Sequence, residues 1–506
     1  MNSQGFKSKI ITPTEMARIE KLAVSQGSSI EQFMDLAGKA VAEAAEKFVK
    51  SHNLAKVATL LIGKGNNGGD AYTAGIALLQ KGFRVQARHL VPKEMCSNLC
   101  QKKYEHFLSA RGEILEGETN YLPFLSEGII LDGIFGTGFH GKIESTISTF
   151  IEAANKSSLP ILAIDIPSGI DGATGKVEQV AIKATQTIFL GFAKLGCFIG
   201  DGFNYAGELI GVDFGLPSTL TDNVKPVAIL IEEHEAKALL PHIKRTRHKY
   251  EAGYVIAVAG SPGMEGAATL SSTAALHTGA GMVRLFFSDP NPRSEPIEAV
   301  KEFYDLAKPE RIFEECQRAH ALLIGPGLGR SKAVTKMLKK VLPDMEIPTV
   351  VDADALHFYA QYPNENFPKR AVLTPHFQEM KNLLPKNFGT LTKENFLKIC
   401  QDFVDKKKVT LVLKGAPTFI FSEDSVPLCI CRGDPGMATG GSGDVLTGMI
   451  ASLLAQGLYD VPAATLAVFI QGLSGEYAAK EKTSYCMVAS DLISSLPKAF
   501  SHLLKK

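Results

Sequence analysis

The sequence predicts an α/β protein of two domains, each a parallel sheet covered by helices. Three observations carry that expectation. Short apolar runs recur between stretches of helical period, and several are continuous rather than alternating, as in strands buried on both faces. Those runs end again and again in Gly, Pro or a polar residue, where open α/β sheets bind their ligands. The series breaks once, near Asp213-Phe214-Gly215-Leu216-Pro217, and then restarts. At about 150 residues per domain, 506 residues allow roughly two to four domains. The single break selects two, residues 1–220 and 228–506, with the polar stretch Ser218 to Lys225 as linker.

Taken in order, an amphipathic segment begins near Thr14, after Thr12-Pro13, with Met16, Ile19, Leu22 and Ala23 on one face. A second follows Ser28-Ser29, its apolar positions running from Ile30 and Phe33 to Phe48. Strands are then expected at 57–62, 84–91, 128–131, 160–164 and 187–190. In the second half they are expected at 254–259, 321–324, 349–351, 372–373 and 409–413.

Composition narrows the classes. Lys+Arg is 54 against Asp+Glu 53, a formal net charge of +1, which argues against a general nucleic-acid binder. The basic run His242 to Lys249 lacks interleaved aromatics and reads as a solvated loop. No run of about 18 apolar residues predicts a membrane span, and the first residues do not form a signal peptide. The eight cysteines show no metal-ligand spacing, so reduced thiols in a cytoplasmic protein are expected.

Three motifs sit at strand ends of the first domain. Gly63-Lys64-Gly65-Asn66-Asn67-Gly68-Gly69-Asp70 precedes a helix expected from Ala71 to Gln80. Glycines let amide N–H groups approach a ligand, and a helix start adds positive potential, so this is a phosphate cradle or an ordinary Gly-rich turn. It is not a Walker A loop, because no Lys-Ser/Thr closes it. Next, Gly136-Thr137-Gly138-Phe139-His140-Gly141-Lys142 contains a literal G-x-G-x-x-G. Its acidic partner would have to be Asp165, which opens another motif, so the dinucleotide fingerprint is rejected and an anion loop kept. Third, Asp165-Ile166-Pro167-Ser168-Gly169 offers a carboxylate and a hydroxyl to one pocket, or else an N-capped turn.

Together with Phe33-Met34-Asp35-Leu36-Ala37-Gly38-Lys39-Ala40-Val41-Ala42, these motifs resemble the NAD(P)H-hydrate epimerase family over roughly residues 10–217. That resemblance implies a Rossmann-like, three-layer α/β/α domain. It also implies that Asn66, Asn67, Gly68, Gly69 and Asp70, with Gly136, Thr137, Gly138, Phe139, His140, Gly141 and Lys142, hold the hydrated dinucleotide. Asn67, Asp132 and Ser168 would ligate K+, and Asp165 would contact the damaged ring as acid/base. A non-catalytic binding role for this domain is the alternative.

The most informative motif of the second half is Gly440-Gly441-Ser442-Gly443-Asp444. Glycines at a helix start aim N–H groups at one point, which stabilises a phosphoryl group in transfer. The Asp that follows can take a proton from an attacking hydroxyl. Upstream, Lys414-Gly415-Ala416-Pro417-Thr418 puts a Lys and a hydroxyl at another strand end. This pattern resembles the ribokinase-like superfamily. With Gly325-Pro326-Gly327-Leu328-Gly329, Val350-Val351-Asp352-Ala353-Asp354 and Leu373-Thr374-Pro375-His376, it is similar to the ADP/ATP-dependent NAD(P)H-hydrate dehydratases over roughly residues 228–506.

The resemblance implies that Ala267, Gly327, His376 and Asp444 contact the hydrated substrate, with Asp444 catalytic. It assigns Lys414, Gly415, Ala416, Pro417, Thr418 and Gly443 to the adenine nucleotide. ADP or ATP with Mg2+ is the expected co-substrate, and ADP is favoured by the fusion of the two halves. Two departures stand out: Phe377-Gln378-Glu379 replaces the family's Pro-Gly-Glu, and Ser442 replaces a Thr. Loss of that Gly is expected to restrict the backbone near His376. The combined expectation is repair of hydrated NADH and NADPH, by epimerisation in the first domain and dehydration in the second. Apolar helices at both ends suggest a homo-oligomer. The alternative is a thiazole- or pyrimidine-type kinase.

Overall fold

The computed structural model describes residues 9–115, 127–288 and 296–505. The chain divides into two compact units, Met1–Ile229 and Leu230–Lys506.

In the first unit, seven strands pair in the order Glu113–Ile114, Arg84–His89, Val57–Ile62, Ile129–Gly133, Ile161–Ile164, Gln186–Leu190, Glu208–Val212. All neighbours are parallel. The central strands carry no exposed residue, which is why they read as continuous apolar runs. Strand order reverses between Val57–Ile62 and Ile129–Gly133, and Ile62 lies in register with Gly133. A crevice at the carboxyl ends of these two strands follows from that reversal. The helices Ile30–Ser51 and Asn66–Gln80 pack tightly, because a Cβ on Gly38 would lie 2.4 Å from Thr73 Cβ.

In the second unit the order is Val300–Phe303, Met282–Phe287, Tyr254–Val258, Ala321–Ile324, Thr349–Val351, Ala371–Leu373, Thr410–Leu413, Thr418–Phe421, Leu428–Ile430. The first seven run parallel, and the last two return antiparallel. The order reverses between Tyr254–Val258 and Ala321–Ile324. Helix Ser442–Ala455 is buried along most of its length against Glu265–His277. A Cβ on Gly448 would fall 2.0 Å from the Ser271 carbonyl, so a glycine is required there.

Three expectations change. The first cradle is helical from Asn66 rather than Ala71, so Asn66 to Asp70 form the first turn and a half of the helix. The stretch read as a linker holds the helical turn Ser218–Thr221, whose Leu220 is buried together with Val224. Several strands, among them Glu113–Ile114, Glu208–Val212, Met282–Phe287, Val300–Phe303, Thr418–Phe421 and Leu428–Ile430, lie outside the expected runs. Edge position explains part of this: Val300–Phe303 carries Lys301 and Glu302 and is largely exposed. Among the described residues, no helix is long and apolar enough to cross a membrane.

Candidate active sites

At the switch point of the first unit lies a cavity of about 590 Å³. The predicted residues Asn66, Asn67, Asp70, Gly136, Thr137, Gly138, Phe139, His140, Lys142 and Asp165 all line it. Gly68, Gly69 and Gly141 do not. Packing accounts for the first two: a Cβ would lie 2.4 Å from the Gly63 carbonyl at Gly68, and 2.5 Å from Met34 Sδ at Gly69. The turn from Gly136 does not open a helix; the next begins at Ser145, consistent with rejecting a dinucleotide fingerprint.

Asp165 follows strand Ile161–Ile164 with φ +69°, a left-handed conformation that costs a non-glycine residue energy and is often kept at functional sites. One carboxylate oxygen accepts from Leu190 N at 3.0 Å and from Lys194 Nζ. Lys194 also donates to the Leu190 carbonyl at 2.8 Å, and its side chain is fully buried. The ammonium is therefore fixed against Asp165 at the cavity wall. Asp70, also on the wall, has its carboxyl held well above the usual range, first by burial and then by Asp165 and Glu20, against the opposing Lys194 and Lys103.

Asp132 is fully buried and accepts from Ser168 Oγ at 2.6 Å, Ser168 N at 2.8 Å and Ile134 N at 3.2 Å. Burial pushes its carboxyl up to about 6, against the hydrogen bonds from Ser168 and Ile134. Among the described residues, no basic side chain bonds it. Asn67 Nδ2 donates to the Phe135 carbonyl at 2.8 Å, and Phe135 N donates to Ser168 Oγ at 2.8 Å. Asn67, Asp132 and Ser168 thus form one linked set of oxygen donors carrying a single formal charge. That set fits a hard monovalent cation. Among the described residues, no group of three or more His, Cys, Asp or Glu is placed to hold a metal ion.

The second site is built on the start of helix Ser442–Ala455. Its N-cap, Gly441, has φ +93°, a conformation that favours glycine. Lys414 Nζ sits close by: a Cβ on Gly443 would be 3.0 Å from it. Lys414 donates to Asp352 Oδ1 at 3.0 Å, and Thr447 Oγ1 donates to Asp352 Oδ2 at 2.7 Å. Burial acts to lower the Lys414 pKa, but Asp352, Glu379 and Asp444 outweigh it and the ammonium is favoured. Asp444 goes the other way. Burial and then Asp352 push its carboxyl up to about 7, with Lys414 opposing and Asp354 adding.

The remaining predicted residues gather around this centre. Lys414 N bonds the Pro375 carbonyl at 2.9 Å, and His376 pairs with Lys414 across a parallel bridge. His376 caps helix Phe377–Leu383, its Nδ1 accepting from Gln378 N at 3.1 Å and Glu379 N at 3.3 Å. With Nδ1 an acceptor, the ring proton resides on Nε2. Lys414 to Pro417 form the hairpin between Thr410–Leu413 and Thr418–Phe421, where Thr418 Oγ1 bonds the Gly415 carbonyl at 3.0 Å. Gly327 has φ +62°, and a Cβ there would meet the Met264 carbonyl at 2.7 Å and Ala267 Cβ at 3.1 Å. Asp354, which accepts from Gly329 N at 2.8 Å, ties that loop to Asp444 electrostatically.

The expected restriction at position 378 does not arise. Gln378 lies in the first turn of a helix and outside the left-handed region, so no glycine is needed.

Glu20, Lys194, Asp352 and Thr447 were given no role by the motifs. Lys194 had a signal, a single charge within the apolar stretch 187–199, since a buried Lys needs a partner. Glu20 looked like the polar face of an ordinary helix.

A family model described as NAD(P)H-hydrate dehydratase matches residues 255–498, and one described as YjeF-related protein N-terminus matches residues 30–196. The chain is 34% identical to the bifunctional NAD(P)H-hydrate repair enzyme Nnr of Moorella thermoacetica, covering 98% of this chain and 97% of that protein. It is 32% identical to the Escherichia coli protein of the same name, over 87% and 84% of the two chains. The crystal structure of ADP/ATP-dependent NAD(P)H-hydrate dehydratase from Bacillus subtilis, co-crystallized with ATP/Mg2+, is 26% identical. It covers 54% of this chain and 97% of that one, with a TM-score of 0.47.

Proposed function

The chain belongs to the family of bifunctional NAD(P)H-hydrate repair enzymes, and from that membership we propose how its two sites divide the work. The first unit epimerises the R and S forms of hydrated NAD(P)H. The second dehydrates the S form back to NAD(P)H at the expense of a nucleotide.

In the second site, Asp444 takes the proton of the ring hydroxyl as its oxygen attacks the terminal phosphoryl group of ADP or ATP. The N–H groups at the start of helix Ser442–Ala455 and Lys414 face the charge that develops. Mg2+ bound with the nucleotide would supply charge neutralisation on its phosphates. The new phosphate ester is a good leaving group. The ring nitrogen's lone pair expels it, and loss of a proton from the adjacent carbon restores the dihydropyridine. Lys414 to Thr418 and Gly443 hold the nucleotide; Ala267, Gly327 and His376 hold the hydrated ring.

In the first site, Asn66 to Asp70 and Gly136 to Lys142 hold the dinucleotide, and Asp165 exchanges protons at the hydrated carbon. K+ on Asn67, Asp132 and Ser168 would supply positive charge beside the phosphates. The eight free cysteines accord with a reducing, cytoplasmic location.

The observation that carries the dehydratase reading is the Asp444 carboxylate, poised near neutrality at a glycine-rich helix start beside Lys414. Acid-hydrated NADH mixed with the protein and ADP, and separately with ATP, tests it. Return of NADH absorbance with phosphate release is expected with at least one nucleotide. No recovery with either, or accumulation of a stable phosphorylated alcohol, would replace dehydration with a small-molecule kinase activity.

A further inference from the structure

We infer that Glu20 is a second catalytic proton carrier of the first site, working with Asp165 on the same hydrated carbon. This rests on the epimerase reading above and extends it. Inverting a carbon that bears a hydroxyl by loss and return of water needs a proton delivered to the departing oxygen. It also needs one removed from the water that returns. The departing and the returning oxygen lie on opposite faces of the ring, so one fixed carboxyl does not serve both, and Asp165 is held in place by the Lys194 ammonium bonded to it.

Glu20 meets the requirement for the other. It comes from helix Pro13–Ser25, far in sequence from the strand-end loops, yet it lines the same cavity as Asp165, Lys194 and Asp70. Unlike Asp165, it has a carboxyl that no hydrogen bond or ion pair engages among the described residues. The residue presents accessible surface, as a group waiting for a substrate must. Its surroundings nonetheless move it toward the protonated form: desolvation raises its pKa, Lys194 opposes and Asp165 adds. Two carboxyls with different surroundings in one pocket is the arrangement by which acid and base roles are separated.

The step balances without a further reagent. Protonated Glu20 gives its proton to the hydroxyl, the C–O bond breaks, and water leaves as the ring nitrogen's lone pair forms C=N. Water then adds to the other face. The C=N pair returns to nitrogen, and the proton of the added water passes to Asp165. In the reverse direction the two carboxyls exchange roles, and solvent protons reset them.

The test follows epimer exchange of hydrated NADH in the full chain, with dehydration of the S form as an internal control. Glu20→Gln keeps the shape and removes the proton. It should slow exchange about a hundredfold or more, mainly through kcat, and leave dehydration unchanged. Glu20→Asp should recover part of the loss. Exchange at the wild-type rate in Glu20→Gln, with Asp165→Asn inactive, would overturn the role of Glu20 alone. Absence of exchange in the wild-type chain would overturn the epimerase reading and this inference with it.

Discussion

The two sites put an aspartate beside a lysine and connect the pair differently. In the first unit Lys194 bonds Asp165 directly and also donates to the Leu190 carbonyl, with Asp70 and Glu20 near enough to feel its charge. In the second, Lys414 is held by Asp352, which also accepts from Thr447, so Asp444 is left with a neighbouring anion and a distracted cation. One pair is a direct ion pair; the other leaves a base that titrates near neutrality. The difference follows from which carboxylate the lysine meets first, and it divides the chemistry. A proton exchanged reversibly suits a site with several carboxyl groups. A proton removed once, as a phosphoryl group arrives, suits a single poised base.

The largest effect expected is at that base. Asp444→Asn should lower dehydration about 10³- to 10⁴-fold and leave epimer exchange intact. The folded pKa of Asp444 lies above its unfolded value, so its contribution to stability is fully present at low pH and is lost as pH rises from about 4 to about 7. Asparagine removes that loss. The variant should therefore melt no lower than the wild type at pH 8, and a lower melting temperature together with loss of both activities would point to misfolding rather than chemistry.

The matching substitution in the first unit, Asp165→Asn, should slow epimer exchange about 10²-fold while dehydration of the S form continues. The fully buried Lys194 would then lose the carboxylate bonded to it, which itself costs stability. An unchanged exchange rate would move the base elsewhere on the cavity wall and favour a binding role for Asp165.

These two aspartates were legible from the sequence because Asp165 opens a strand-end motif and Asp444 ends a glycine-rich helix start, and packing alone requires neither. What surrounds them was less so. Strand-end position could be read for Asp352, but not that it would claim Lys414, since the two are 62 residues apart and meet only across the sheet. Glu20 carries no local signal, because its helix has an ordinary amphipathic period and only the fold turns that position toward the cavity. The parallel central strands could be read from their apolar runs. The short antiparallel strands at 418–421 and 428–430 were hidden within what looked like loop.

The contrast between the sites also predicts different pH responses. Asp444 must be ionised to accept a proton, and its ionised fraction falls about tenfold per pH unit below its pKa. With that pKa near 7, kcat/KM for dehydration should rise through about pH 7 and level off above it. Epimer exchange, measured on the same samples, should not share that limb. A flat dehydration profile between pH 5.5 and 7.5 would show that Asp444 is not the group that limits the reaction.

The smallest effect expected is at the position where this chain departs from its family. A glycine beside His376 suggests a need for unusual backbone angles, yet Gln378 sits in a regular helical turn, and its backbone N–H bonds His376 Nδ1. Its side chain also bonds Asn382 one turn on, at 3.1 Å. Gln378→Gly would remove that pair and add backbone freedom to the unfolded chain. Together these should cost about 1 kcal/mol of stability. Because the bond to His376 comes from the backbone, the histidine should keep its orientation and the KM for hydrated NADH should stay within about twofold, well under the 1.4 kcal/mol that a tenfold change requires. A several-fold gain in dehydration by Gln378→Gly would mean that the glycine serves the substrate directly, and that the second site tolerates glutamine at a cost the helix does not reveal.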